Sequence, residues 1–167
     1  MDIINYVLIL IISFLGIPIG ILLSNIAIEE INSAIKYLKY LNIILISLII
    51  LIAIYPFNKI YSIILASIFL IILLISKNKD NNRWTYSSTS ALLYISIFKG
   101  ETLIIATLIF IYGISIVTID TTKHFKNKIN RQIKLIDNID LIKKTLSKYS
   151  YYLLIGSIFY IIFAYII

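Results

Sequence analysis

The sequence predicts an all-α fold, a polytopic integral membrane bundle of five or, more simply, six transmembrane helices with added cytoplasmic amphipathic helices. Hydrophobic residues make up 60% of the chain, and its mean hydropathy is +1.00. Several apolar runs approach the length of about 20 residues that a helix needs to cross the hydrocarbon core. These runs extend from Ile3 to Ile167 without a polar block large enough to fold separately. We therefore expect a single membrane domain over residues 1–167.

The first predicted span is Ile3–Ser24. Within it, Gly16, Gly20 and Ser24 are spaced by four residues and form a face of small residues, which predicts close packing against another helix. Pro18 lies between the glycines and lacks the N–H that a continuous helix requires. We therefore expect a kink just before Pro18.

The next elements alternate between polar and apolar character. Apolar residues recur at helical spacing through Asn25–Tyr40 while charged residues take the other faces, which predicts an amphipathic helix at the membrane interface. Leu41–Tyr55 and Ile60–Ser76 are the second and third predicted spans. The polar run Lys77–Arg83 is expected to form a loop outside the bilayer.

Residues 90–119 are too long for one span. A single helix over this stretch would measure about 45 Å, whereas the hydrocarbon core is about 30 Å thick. The sequence therefore predicts a hairpin that turns at Gly100, with a short fourth helix before it and Glu101–Ile119 as the fifth. If the short arm is re-entrant, Lys99 and Glu101 lie at membrane depth and are candidate functional residues. A solvated outer turn is the simpler interpretation.

The segment Asp120–Ser150 is the main basic part of the chain and is predicted to be an amphipathic cytoplasmic helix, with a break at Asp137-Asn138. Tyr149–Ile167 is the last predicted span. The basic residues of the segment are Lys123, Lys126, Lys128, Arg131, Lys134, Lys143, Lys144 and Lys148, and its apolar stripe is Leu135, Ile139, Ile142 and Leu146.

Charge predicts the orientation. With six spans, residues 25–40, 77–83 and 120–150 share one side of the membrane, and they carry all of the 15 basic residues except Lys59 and Lys99. The positive-inside rule then predicts a cell-membrane protein with this side in the cytoplasm and both termini outside.

Residue patterns that indicate catalysis or metal binding are missing. The chain has no cysteine and a single histidine, His124, so neither a thiolate nor a clustered imidazole site is expected. Glu29 and Glu30 are adjacent and therefore point about 100° apart on a helix, which prevents a shared carboxylate pair. They are candidate functional residues, although a solvated face is the simpler explanation. We expect no enzyme activity, no metal and no cofactor.

The segment Gly16–Ile31, with its Ile-Ala-x-Glu-Glu stretch after the first helix, resembles small multi-pass membrane proteins of archaea that are uncharacterised. The resemblance implies a multi-pass membrane fold and no particular activity. It assigns no functional residues.

Two functions are consistent with this sequence. The first is a non-catalytic subunit or scaffold. Its expected partners are the lipid bilayer, anionic lipid headgroups that bind the basic helix, and a membrane or soluble protein. We expect no binding of nucleic acid. The alternative is a small transporter or channel that assembles through the Gly16/Gly20 face of the first helix. A transporter requires polar groups at mid-membrane.

Overall fold

The computed structural model describes residues 2–55, 81–97, 100–126 and 135–164. Regular secondary structure in these ranges is helical throughout, with no strand, which confirms the all-α prediction. The helices are α1 (Ile3–Phe14), α2 (Gly16–Ile26), α3 (Ile28–Ile54), α4 (Asn81–Ser96), α5 (Thr102–Lys126), α6 (Leu135–Tyr149) and α7 (Tyr151–Ala164). The predicted third span, Ile60–Ser76, lies outside the described residues.

The first predicted span is broken at Leu15, between α1 and α2. The Leu15 amide donates to the carbonyls of both Ile11 (3.0 Å) and Ile12 (3.1 Å), which tightens the last turn of α1. Pro18 falls in the first turn of α2, where its missing N–H costs little because the first amides of a helix have no intrahelical acceptor. The kink expected just before Pro18 therefore takes the form of a helix boundary.

One continuous helix, α3, replaces two predicted elements. The prediction of an interfacial helix Asn25–Tyr40 separate from a span Leu41–Tyr55 is wrong, because α2 continues to Ile26 and α3 runs unbroken from Ile28 to Ile54. No glycine or proline occurs within α3. The change from a polar to an apolar surface along this helix therefore brings no change in the backbone.

The polar loop predicted at Lys77–Arg83 ends earlier than expected, because residues 81–83 already belong to α4. The turn between α4 and α5 includes Gly100, whose φ of 77° lies in the left-handed region that glycine adopts without strain. The hairpin thus turns where the sequence predicts. Its first arm is longer than predicted, since it begins at Asn81.

The basic segment Asp120–Ser150 does not form one separate helix. Its first residues, up to Lys126, continue α5, and residues 135–149 form α6. The break predicted at Asp137-Asn138 is wrong, since α6 runs through both residues. Aspartate and asparagine lower helix propensity by less than about 1 kcal/mol each, which neighbouring good helix formers offset.

Three helical stretches in the described ranges are long and apolar enough to cross a membrane: Ile3–Ile26, Glu29–Ile54 and Thr102–Thr122. Helices α4 and α7 have 16 and 14 described residues. At about 1.5 Å per residue they measure roughly 24 and 21 Å, shorter than a typical hydrocarbon core. A bundle of about six spans is therefore not confirmed.

Helix α5 forms the centre of the bundle and contacts α1, α2, α3 and α4. Its side chains Ile105, Ile109, Ile116 and Val117 are fully buried. Burying apolar side chains on several faces of one helix requires neighbours all round, which explains why α5 is more enclosed than α1–α3.

Contacts between helices define two ends of the bundle. At the Asp120 end, the Asp120 side chain of α5 meets Asn82 of α4 and Lys148 of α6, and Ser24 near the end of α2 meets Thr121. Since α1 and α2 run parallel to α5, the first residues of α1 lie at the opposite end, together with the Gly100 turn.

Candidate functional site

Gly16 and Gly20 lie directly against the backbone of α5. A Cβ atom at Gly16 would overlap the Phe110 carbonyl oxygen, and one at Gly20 would lie 2.6 Å from the Ile114 carbonyl oxygen. Real Cβ atoms do not approach a backbone oxygen so closely. Only glycine therefore fits at these two positions, as in other close helix crossings built on small residues.

Hydroxyl groups join α2 and α5 where their backbones approach. Thr118 Oγ1 contacts the Gly20 carbonyl oxygen at 3.2 Å and the Ile114 carbonyl oxygen of its own helix at 2.7 Å. One turn further, Thr121 Oγ1 donates to Ser24 Oγ at 2.6 Å. Ser24 thus continues the small-residue face with a buried hydrogen bond rather than with close backbone contact.

This packing covers the Gly16/Gly20 face within the chain. Because α5 occupies the face, it is not available as the surface through which two copies would meet. The dimer contact expected of the first helix therefore has no free surface at Gly16, Gly20 and Ser24.

Asp120 is the centre of a polar cluster that sequence reasoning did not single out. Its Oδ2 accepts hydrogen bonds from Lys148 Nζ at 2.7 Å and from Tyr149 Oη at 2.6 Å, and its Oδ1 accepts one from Asn82 Nδ2 at 3.3 Å. We call these four residues the Asp120 cluster. Asp120 is the first charged residue after the apolar run Thr102–Ile119, and this position is the signal that could have found it.

The Tyr149 phenol donates to Asp120 from a buried position. Tyr149 ends α6, outside the three apolar stretches of spanning length, and its side chain is fully buried. Burial raises the pKa of Tyr149, and the negative charge of Asp120 raises it further. Like an ordinary tyrosine, the phenol is protonated at neutral pH and can donate to Asp120, whose charge is balanced by Lys148 at 2.7 Å.

Four tyrosine rings pack together below the Asp120 cluster. Tyr86 is at their centre, with ring centroids 4.8 Å from Tyr152, 5.6 Å from Tyr149 and 6.0 Å from Tyr112. Stacked, tilted and edge-on arrangements at these separations are favourable for aromatic pairs. The rings join α4, α5, α6 and α7 in one cluster, which we call the Tyr86 cluster.

Towards the opposite end, a second group of rings joins α1, α4 and α7. Tyr6 stacks on Tyr160 at 4.9 Å and meets Tyr94 edge-on at 6.0 Å, and its hydroxyl donates to the Gly156 carbonyl at 3.1 Å. Tyrosines therefore fill much of the interior of the bundle, although no sequence pattern predicts their pairing.

Helix α6 presents two different faces over its described side chains. Ile142 and Leu146 pack against the hydrophobic core, and Thr145 is buried. The described part of the predicted stripe, Ile142 and Leu146, thus faces the bundle itself and is not a free docking surface. Lys143 and Lys144 are exposed on the other side.

The remaining candidate residues that the structure describes, Glu29, Glu30 and Glu101, lie at the starts of two different helices. Glu29 and Glu30 are exposed in the first turn of α3, where negative charge favours a helix N-terminus. Glu101 is half-buried directly before α5. Lys99 lies outside the described residues.

Among the described residues, no group of three or more His, Cys, Asp and Glu side chains is arranged to hold a metal ion. No protein-family model matches the chain, and neither a curated protein nor a solved structure matches it. A function for this protein must therefore be inferred from its own residues, chiefly the Asp120 cluster and the lysines of α6.

Proposed function

We propose that this protein is a multi-pass integral membrane protein of the cell membrane, a non-catalytic subunit or scaffold whose helix α6 binds anionic lipid headgroups. The observation that carries this proposal is the orientation of α6. Its side chains Ile142 and Leu146 pack onto the bundle at the Asp120 end, and Lys143 and Lys144 are exposed on the other side.

Membrane insertion is supported by the outer surface of the bundle. Large apolar side chains are exposed along helices of spanning length, with Leu8 52%, Ile44 54% and Ile104 55% exposed. Water disfavours such a continuous apolar surface, whereas lipid does not. From Thr102 to Asp120, α5 rises about 27 Å at 1.5 Å per residue, close to the thickness of a hydrocarbon core.

The arrangement of charge supports the proposed orientation. Lys148 and Asn82 both bond Asp120, so parts of the two basic segments 77–83 and 120–150 meet at one end of the bundle. The first residues of α1 and the Gly100 turn lie at the other end. The positive-inside rule assigns the Asp120 end to the cytoplasm and the N-terminus to the outside.

We expect cysteines introduced singly at Ser147 and at Asp2 to react from opposite sides of an oriented membrane. Both positions are exposed, they lie at opposite ends of the bundle, and the chain contains no other cysteine. A membrane-impermeant maleimide added outside intact cells should label Asp2→Cys and leave Ser147→Cys unlabelled until the membrane is opened. Labelling of both from one side would exclude the proposed orientation.

The lipid-binding role predicts that Lys143→Gln/Lys144→Gln lowers the preference for anionic lipid. Each basic residue near an anionic surface contributes roughly 1 kcal/mol, or about 2 kcal/mol for the pair, so we expect the association constant of spin-labelled phosphatidylglycerol, relative to phosphatidylcholine, to fall by about 30-fold. Electron paramagnetic resonance of the purified protein in vesicles of both lipids measures this ratio.

The matched control is Lys143→Arg/Lys144→Arg, which keeps both charges and should keep the preference. An unchanged ratio in the glutamine variant would contradict the proposal. Solute flux into the same vesicles would then favour the alternative, a small transporter. The observation on that side is that Asn42 Oδ1 and Ser87 Oγ are buried without a hydrogen-bond partner among the residues that the structure describes.

A further inference from the structure

Lys148 lies at the border between the two faces of α6. It follows Lys144 by four residues, so the two side chains are neighbours on the helix surface, with Cβ atoms about 6 Å apart. Lys144 is exposed, and the Lys148 side chain is 36% exposed. A headgroup phosphate that Lys144 binds would therefore lie within reach of Lys148.

Instead, the Lys148 ammonium is held by Asp120. The carboxylate is only 15% exposed, and Asn82 and Tyr149 fix its position with hydrogen bonds that are independent of Lys148. Drawing Lys148 toward a phosphate would leave a largely buried carboxylate without its cation. Removing one partner of such a pair costs free energy.

We infer that Asp120 is an intramolecular competitor for the anionic-lipid surface of α6. It withholds Lys148 from the headgroups and places a negative charge 2.7 Å from the Lys148 ammonium. The inference rests on the proposed lipid-binding function and adds its regulation. The affinity of α6 for anionic lipid is set below the value that its lysines would give alone.

The test is a double-mutant cycle on Asp120→Asn and Lys148→Gln, read as the phosphatidylglycerol preference in the same vesicles. Asp120→Asn keeps the shape of the side chain, releases Lys148, and should raise the preference by about two- to five-fold. Lys148→Gln should lower the preference more in the Asp120→Asn background than in the wild type. Effects of long-range charge are common to both backgrounds and cancel in this comparison.

Leu146→Ala is the control for loosened packing, since it weakens the contact of α6 with the core without touching Asp120. It should not raise the preference. An equal gain in Leu146→Ala, no gain in Asp120→Asn, or equal Lys148→Gln effects in both backgrounds would overturn the inference. The proposed function fails separately, if Lys143→Gln/Lys144→Gln retains the full preference.

Discussion

Gly20→Leu is expected to destabilise the protein by at least about 1–3 kcal/mol, the usual cost of overpacking. The Cβ atom alone would lie 2.6 Å from the Ile114 carbonyl oxygen, and this oxygen belongs to a helix backbone that cannot rotate away. To accommodate leucine, α2 must move from α5, which also weakens the contact between Thr118 Oγ1 and the Gly20 carbonyl. Thermal unfolding in detergent, followed by circular dichroism, measures the loss.

Leu22→Phe provides the matched control for the glycine substitution. Leu22 lies two residues away on the same helix and is 56% exposed, so a larger side chain there does not press on any of the helices α1 to α7 as described. We expect its melting temperature to match the wild type. Equal melting temperatures for wild type and Gly20→Leu would show that α2 and α5 do not approach as closely as described.

Tyr86→Ala is expected to reduce the free energy of unfolding by about 3–5 kcal/mol, as for other large aromatic side chains removed from a core. Tyr86 is fully buried, and its ring contacts three others from α5, α6 and α7. The cavity left by its removal cannot close without moving several helices. Chemical or thermal unfolding in detergent measures this effect.

Tyr86→Phe separates the ring from the hydroxyl. Within the described ranges the hydroxyl donates one long hydrogen bond, 3.4 Å to the Ser13 carbonyl oxygen, so its loss should cost no more than about 1 kcal/mol. Similar losses in Tyr86→Phe and Tyr86→Ala would show that hydrogen bonding, rather than ring packing, stabilises the Tyr86 cluster.

The helix boundaries show which features of the fold a local sequence pattern can predict. Gly100 was identified as the turn because a continuous helix would be too long, and the positive φ there agrees with that reasoning. The prediction of two separate elements in place of α3 is wrong because the change from polar to apolar residues near Tyr40 reflects a change in the environment of the helix surface. Surroundings alter which side chains are favourable and leave the backbone hydrogen bonds of a helix intact.

The basic segment Asp120–Ser150 is a second case in which a local pattern does not determine the packing. Its apolar stripe predicts that one face of α6 is covered, and amphipathic spacing is satisfied equally by lipid, by a partner or by the bundle itself. The structure places Ile142 and Leu146 on the bundle. Which surface covers this face depends on where the chain places α6 relative to the other helices, and no local sequence pattern encodes that position.

The sequence by itself determined the helical class, the apolar character of the long helices and the small-residue face at Gly16 and Gly20. These properties follow from composition and from spacing along one helix. Tertiary structure alone decided that this face packs on α5, that Asp120 pairs with Lys148 and Tyr149, and that tyrosines distant in sequence share one interior. Such pairings join residues far apart in the chain, and their energy depends on distance and burial that only the packed helices establish.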